Sequence, residues 1–225
     1  PMLNQPRFEL PPLTKNEQGT LRTVGFEIEF GTIDARRAAE IVKQAFGGEV
    51  IETGLSEFHV DGTVLGDFAV KLDTRLGRHP ASEGSPLEVI EAELSKLARS
   101  AISVVVPQEI VTPPIPLDRI EELGILIPML RSAGASGTEK SVLYAFALHI
   151  NPEAPSLRAE AIAAMMKAFA LLSPWLWETI QPRMTRRLLG FAEPFNSSYV
   201  TKLVQQDYWP DLAQLIDDYL DANPT

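Results

Sequence analysis

The segment Val24–Phe30, VGFEIEF, places two carboxylates two residues apart in an otherwise apolar run. Alternation with a period of two is typical of a β-strand, so Glu27 and Glu29 are predicted to share one face of a sheet. Like charges this close raise each other's proton affinity, and burial adds a desolvation penalty unless a cation or hydrogen bonds compensate. The pattern therefore indicates either a site for a hard cation such as Mg²⁺ or Mn²⁺, or a surface strand with both glutamates in water.

The segments after this strand alternate between helix and strand patterns. Asp34 is a suitable N-cap for a helix that ends at Phe46, because Gly47 and Gly48 follow. Short segments with a period of two then predict an antiparallel meander over Glu49–Glu52, Glu57–Val60 and Phe68–Asp73. Further strands are predicted at Glu109–Thr112 and Ser141–Asn151, and helices at Ser85–Ile102, Leu117–Ala133, Ser156–Leu172, Trp175–Gln181 and Asp207–Leu220.

These patterns define the expected fold class and domain organisation. Strands with one polar and one apolar face favour an α+β fold, in which a mainly antiparallel sheet has helices on one side and an open face on the other. The C-terminal third is predicted to be helical. Residues 1–20 are expected to form an extended leader, and residues 21–225 are expected to form a single domain.

Charge and hydropathy narrow the classes of partner. The formal net charge of −10 argues against a nucleic-acid-binding protein, which normally needs a basic face. The N-terminus lacks the features of a signal peptide. The longest apolar stretch, Ala161–Trp177, is interrupted by Lys167 and Pro174 and is predicted to be core or an oligomer interface rather than a membrane span. We therefore expect a cytoplasmic protein without a membrane partner.

Several strands carry side chains that could bind a metal. They are Glu27, Glu29, Asp73, Glu109 and His149. On one sheet they would form a face suited to two divalent cations that bridge the phosphates of a nucleotide. These residues also have ordinary structural explanations. Asp73 could pair with Lys71 or Arg75 on the surface, Glu109 could cap a neighbouring backbone, and a lone histidine is often a hydrogen-bonded core or edge residue.

The order of these segments resembles the amidoligase family, ATP-dependent carboxylate–amine ligases related in fold to glutamine synthetase and glutamate–cysteine ligase. Six stretches carry the resemblance, which covers nearly the whole chain from about residue 20: Val24–Phe30, Leu65–Asp73, Val106–Pro116, Phe146–Glu153, Phe191–Val200 and Asp207–Thr225. The proteins that it resembles continue beyond this point, so we expect that the catalytic domain lacks its C-terminal part.

The resemblance implies an active site on a glutamine synthetase-like sheet. The catalytic and metal-binding positions it implies are Glu27, Glu29, Glu109 and His149, and the implied cofactors are ATP and Mg²⁺ or Mn²⁺. ATP would phosphorylate a substrate carboxylate, and an amine would then attack the acyl phosphate to form an amide or isopeptide bond. The substrates would be small molecules or peptides that carry the carboxylate and the amine.

Positive groups are also needed to hold anionic phosphates. Lys71, Arg183 and Arg187 are candidates for cofactor binding together with Asp73, and the two arginines share a face if their segment is helical. Local ion pairing of Lys71 and a solvated helix end for the arginines are the structural alternatives.

Two other classes of function remain open at this point. The chain could be a non-catalytic binding or assembly module that retains the fold, with Glu27 and Glu29 serving structure. It could also be a metal-dependent hydrolase that uses the same carboxylates without ATP.

Overall fold

The computed structural model describes residues 8–72, 108–135, 148–180 and 195–223. They form two compact units, of which the first contains the chain up to Thr14 and Leu21–Glu153, and the second contains Lys15–Thr20 and Ala154–Thr225. The organisation of residues 21–225 as one domain stays a prediction. The helix predicted at Ser85–Ile102 lies outside the described residues.

The first unit is built on a mainly antiparallel sheet, which confirms the predicted α+β class. Its strands are β1 (Thr23–Phe30), β2 (Glu49–Gly54), β3 (Glu57–Thr63), β4 (Gly66–Leu72), β5 (Gln108–Val111), β6 (Ile115–Pro116) and β7 (Leu148–Pro152). β2, β3, β4 and β5 pair in sequence, and β5 then pairs with β1. Because Glu27 and Ile28 pair with both β5 and β7, these two strands flank β1 on opposite sides.

Alternation in β1 separates the core from the polar face, as predicted. Its buried side chains are Val24, Phe26, Ile28 and Phe30, and Glu27 and Glu29 project from the other face. Helix α1 (Ala35–Phe46) supplies alanines, Ile41, Val42 and Phe46 to the same core. Asp34 caps this helix by accepting a hydrogen bond from Arg37 N at 2.7 Å, and the helix ends at Gly47, so both predicted ends are confirmed.

The connection from α1 to β2 requires glycine at position 48. Gly48 has φ +85°, and a Cβ there would lie 2.5 Å from the carbonyl oxygen of Asp61 on β3. A side chain at position 48 would therefore strain the backbone and push the meander away from α1.

The irregular helix predicted at Leu117–Ala133 is present in three pieces. A 3₁₀ turn at Leu117–Arg119 leads into α2 (Ile120–Leu123), and after Gly124 the chain continues as α3 (Leu126–Ser132). Leu126 and Leu130 of α3 are buried in the core that α1 covers. The helices of the first unit therefore pack on the apolar side of the sheet.

The second unit is helical, as predicted for the C-terminal third. Its helices are α4 (Ala159–Ile180), α5 (Ser197–Leu203) and α6 (Leu212–Ala222). Two predicted helices, Ser156–Leu172 and Trp175–Gln181, are in fact one, because the helix continues through Pro174. The predicted start of the last helix at Asp207 was wrong: Pro210 disfavours helical backbone at Trp209, and Asp211 is the N-cap.

Helix α4 is long and apolar. By length and composition alone, Ala159–Thr179 could cross a membrane. Its most apolar stretch has a mean hydropathy of 1.3, and 11% of that stretch is buried. Lys167 and Pro174 therefore do not lower the hydropathy of this segment enough to exclude a membrane span on that criterion. Core helices of soluble proteins meet the same criterion, so the absence of a membrane partner stays a prediction.

Candidate active site

The strand register brings the predicted site residues of β1, β5 and β7 to one face of the sheet. Glu29 lies directly opposite Glu109 on β5, and Glu27 lies directly opposite His149 on β7. Lys71 of β4 lies opposite Glu109 on its other side. Directly opposite residues of antiparallel strands project to the same face, so these five side chains form one polar cluster.

His149 bridges the two glutamates of β1. Its Nδ1 lies 3.1 Å from Glu27 Oε2, and its Nε2 lies 3.4 Å from Glu29 Oε1. A neutral imidazole donates from one nitrogen, whereas the protonated ring donates from both. The ring therefore lies beside both carboxylates, hydrogen-bonded to Glu27 and within ion-pair distance of Glu29, on the side of β1 opposite to β5.

Glu29 and Glu109 are the deeply buried members of the cluster. Their side chains are 7% and 5% exposed, compared with 23% for Glu27, 38% for His149 and 44% for Lys71. The ammonium of Lys71 lies 3.4 Å from Glu109 Oε1. Buried carboxylates need compensating charge or hydrogen bonds, and Lys71 and His149 contribute one positive or donor group to each member of the buried pair.

Two further polar residues, one on β7 and one just after it, were not predicted, and the first of them contacts the cluster. Asn151 Nδ2 donates to Glu27 Oε1 at 3.3 Å, so both oxygens of Glu27 contact β7. Glu153 Oε2 accepts a hydrogen bond from Thr23 N at 2.9 Å near the start of β1. Both residues alternate with His149 at a period of two, and this alternation is the signal that would have placed them on the same face.

Of the four predicted cofactor-binding residues, the structure describes Lys71. Asp73, Arg183 and Arg187 lie outside the described residues, and their roles stay predictions. On β4, Phe68 and Val70 are buried and Lys71 points to the opposite face, as the alternation predicted.

The donor chemistry of the cluster fits a hard divalent cation, because carboxylate oxygens with an imidazole nitrogen are ligands that Mg²⁺ and Mn²⁺ accept. Within the part of the chain that the structure describes, no three histidine or acidic side chains stand close enough to hold one ion. His149 and Lys71 contact the carboxylates instead. To bind an ion, the carboxylates and His149 would have to give up these contacts with one another and with Lys71.

Comparison with known proteins identifies a family match. A family model described as "Putative amidoligase enzyme" matches residues 20–225, which is nearly the whole chain. No curated protein and no solved structure matches the chain. The match begins just before β1 and includes all the residues of the cluster.

Proposed function

The chain belongs to the amidoligase family, and we propose that it is an ATP-dependent ligase that joins a carboxylate to an amine through an acyl phosphate. The family itself indicates ligase activity. The six motifs predicted this membership. ATP dependence, the acyl phosphate and the glutamine synthetase-like form of the sheet are parts of the proposal.

One observation supports the proposal most strongly. Glu29 and Glu109 lie directly opposite one another on neighbouring strands, and both are nearly buried. Like charges directly opposite each other destabilise a sheet, so fold stability alone does not favour this pair. A binding function that needs two converging carboxylates explains why both positions are acidic.

The residues proposed to hold Mg²⁺ or Mn²⁺ are Glu27, Glu29, Glu109 and His149. When bound, the cations would neutralise the phosphate charge of ATP and make the γ-phosphorus more electrophilic. We propose that Lys71 also faces the phosphates from β4, since its ammonium is 44% exposed and adjoins Glu109. Asp73, Arg183 and Arg187 complete the proposed nucleotide-binding set.

The proposed reaction has two balanced steps. A carboxylate oxygen of the substrate attacks the γ-phosphorus of ATP, the bond to the bridging oxygen breaks, and ADP leaves. The amine then attacks the acyl carbon, inorganic phosphate leaves, and the nitrogen loses a proton to form the amide. The protein would contribute orientation and electrostatic stabilisation rather than a covalent intermediate of its own. The substrates are proposed to be small molecules or peptides in the cytoplasm.

Incubation with ATP, Mg²⁺ and a panel of carboxylates and amines tests the proposal. We expect ADP, phosphate and an amide in equal amounts, and hydroxylamine should trap the acyl phosphate as a hydroxamate. Glu29→Gln should abolish both products, whereas Glu49→Gln, an exposed glutamate on β2 of the same sheet, should not. Stoichiometric AMP would contradict the acyl phosphate, and amide cleavage without nucleotide would indicate a hydrolase. Nucleotide binding without turnover of any substrate would favour the non-catalytic module.

A further inference from the structure

The register between β1 and its neighbour changes by one residue beside the polar cluster. Glu27 lies opposite Val111 at the end of β5, whereas Val24 lies opposite Ile115 at the start of β6. Residues 112–114 therefore lie opposite residues 25–26. One extra residue in one strand of an antiparallel pair is a β-bulge.

This bulge decides which side chains reach the polar cluster. Glu109 and Ile115 are six residues apart, so in a regular strand they would project from the same face. Here Glu109 faces Lys71 on the polar side, whereas Ile115 is fully buried in the core opposite Val24. A shift of register by one residue turns every side chain of a strand over. Without the bulge, Glu109 and Ile115 could not both occupy their present environments.

Thr112 makes the hydrogen bonds that join the bulge to β1. Its backbone N donates to Phe26 O at 2.9 Å, and Phe26 N donates to Thr112 Oγ1 at 2.9 Å. The threonine hydroxyl in turn donates to Pro113 O at 2.9 Å. In a regular pair, Phe26 N would bond to a backbone carbonyl, so a side-chain oxygen here replaces it. Pro113 and Pro114 have no N–H and cannot restore the ladder.

We propose that Thr112 is a positioning residue that holds Glu109 opposite Glu29. Thr112 is buried and acts through the backbone of β1, without contact with a reacting group. The hydroxyl, rather than the methyl group, is the essential part, because it alone both accepts from Phe26 and donates to Pro113. The importance of Glu109 to a bound cation rests on the proposed function, whereas the hydroxyl's effect on the register does not.

Thr112→Val removes the hydroxyl at nearly constant volume, and Thr112→Ser retains it. Thr63→Val is a matched control because Thr63 is also buried, donates to Gly66 O at 2.6 Å and accepts from Leu65 N at 3.1 Å. These bonds lie in the β3–β4 turn rather than beside β1. Two quantities are measured on each variant of the 225-residue chain, the hydrogen-exchange rate of the Phe26 amide and the dissociation constant for Mn²⁺ by calorimetry.

We expect Thr112→Val to raise the Phe26 exchange rate and weaken Mn²⁺ binding by about tenfold each, since a buried N–H loses its acceptor. Thr112→Ser should stay within about threefold of the wild type in both, and Thr63→Val should leave both unchanged. The proposal is overturned if the valine variant matches the wild type in exchange, if serine fails to rescue it, or if Thr63→Val has the same effects.

Two further outcomes are also decisive. If Thr112→Val does not fold, the exchange rate of the Phe26 amide in the wild type and in Thr112→Ser tests the proposal. Rapid exchange in these two proteins contradicts the hydrogen bond from Phe26 N to Thr112 Oγ1. If the wild type binds no Mn²⁺, the proposed function fails, and the Phe26 exchange rates still test the role of Thr112 in the register.

Discussion

Glu29 and Glu109 lie directly opposite one another in the β1–β5 ladder, and their side chains are 7% and 5% exposed. The imidazole of His149 adjoins the first carboxylate and the ammonium of Lys71 adjoins the second. The two contacts have different origins, because His149 reaches β1 from β7 whereas Lys71 reaches β5 from β4. The cluster thus depends on the four strands β1, β4, β5 and β7. A displacement of any one of them should change the contacts of Glu29 or Glu109.

Glu29→Gln should separate function from stability. The substitution keeps the shape of the side chain and removes one of two facing charges, so the free energy of unfolding should change by no more than about 0.5 kcal/mol or should rise. Mn²⁺ affinity should fall on the order of 100-fold, because a proposed ligand is lost. Thermal unfolding and calorimetric titration measure the two effects.

Glu49→Gln is the matched control for this prediction, since Glu49 is exposed on the same sheet. It should change neither quantity. A large loss of stability in Glu29→Gln together with unchanged Mn²⁺ affinity would assign Glu29 a structural role.

Lys71→Met should destabilise the first unit. The change removes the ammonium 3.4 Å from the buried Glu109 carboxylate, and the partial exposure of Lys71 limits the loss to about 1 kcal/mol. Mg²⁺ should raise the melting temperature of this variant more than that of the wild type, because a bound cation can replace the missing charge.

Lys43→Met serves as the control for the lysine variant, because Lys43 is exposed on α1. Its melting temperature should respond to Mg²⁺ as the wild type does. An equal Mg²⁺ response in Lys71→Met and in the wild type would argue against cation binding beside Glu109.

The sequence predicted the local parts of this site well. The period of two in Val24–Phe30 placed Glu27 and Glu29 on one face, and Asp34 and Gly47 marked the ends of α1. Each of these features depends on interactions within a few residues along the chain. Periodicity and capping chemistry are therefore sufficient to predict them.

The partners of the glutamates could not be derived in the same way. Which strand lies beside β1 depends on pairing between distant segments, and sequence alternation gives a face but not a neighbour. The strand patterns named Glu109 and His149 as candidates, and the resemblance to the amidoligases assigned them to one site with the glutamates, whereas Asn151 was missed although it alternates with His149. The bulge at Thr112 had no signal beyond the prolines that follow it.

Glu153→Ala should loosen β7 from β1. The carboxylate accepts from Thr23 N at 2.9 Å, and its loss should reduce the free energy of unfolding by about 1–2 kcal/mol. Glu153 directly follows β7, the strand that carries His149, so Mn²⁺ binding should weaken as well. Urea unfolding and Mn²⁺ titration test this, with Glu40→Ala, an exposed change on α1, as the control. Unchanged stability would show that β7 pairing does not depend on Glu153.

Asp218 should give the second unit a pH-dependent stability. Lys202 Nζ at 2.7 Å is the main cause that lowers the pKa of Asp218 below its usual 3.8, and hydrogen bonds from Tyr208 OH at 2.8 Å and Gln214 Nε2 at 2.7 Å add to it. Burial, followed by the bond to this carboxylate, raises the pKa of Tyr208. A lowered pKa in the folded state means that the stabilisation is present at neutral pH and is lost as the pH falls below 3.8 through the lowered value.

Asp218→Asn should therefore unfold at a lower temperature than the wild type at pH 7, and the difference should shrink as the pH falls below 3.8. Asp217→Asn is the matched control, because its side chain is exposed one residue earlier on α6. Thermal unfolding is monitored through the hydrogen-exchange rates of the α6 amides. The measurement therefore reports the stability of the second unit itself. A difference between Asp218→Asn and the wild type that stays constant from pH 7 to about pH 3 would mean that charge on Asp218 does not stabilise this unit, because protonation of the wild-type carboxylate must remove any such contribution.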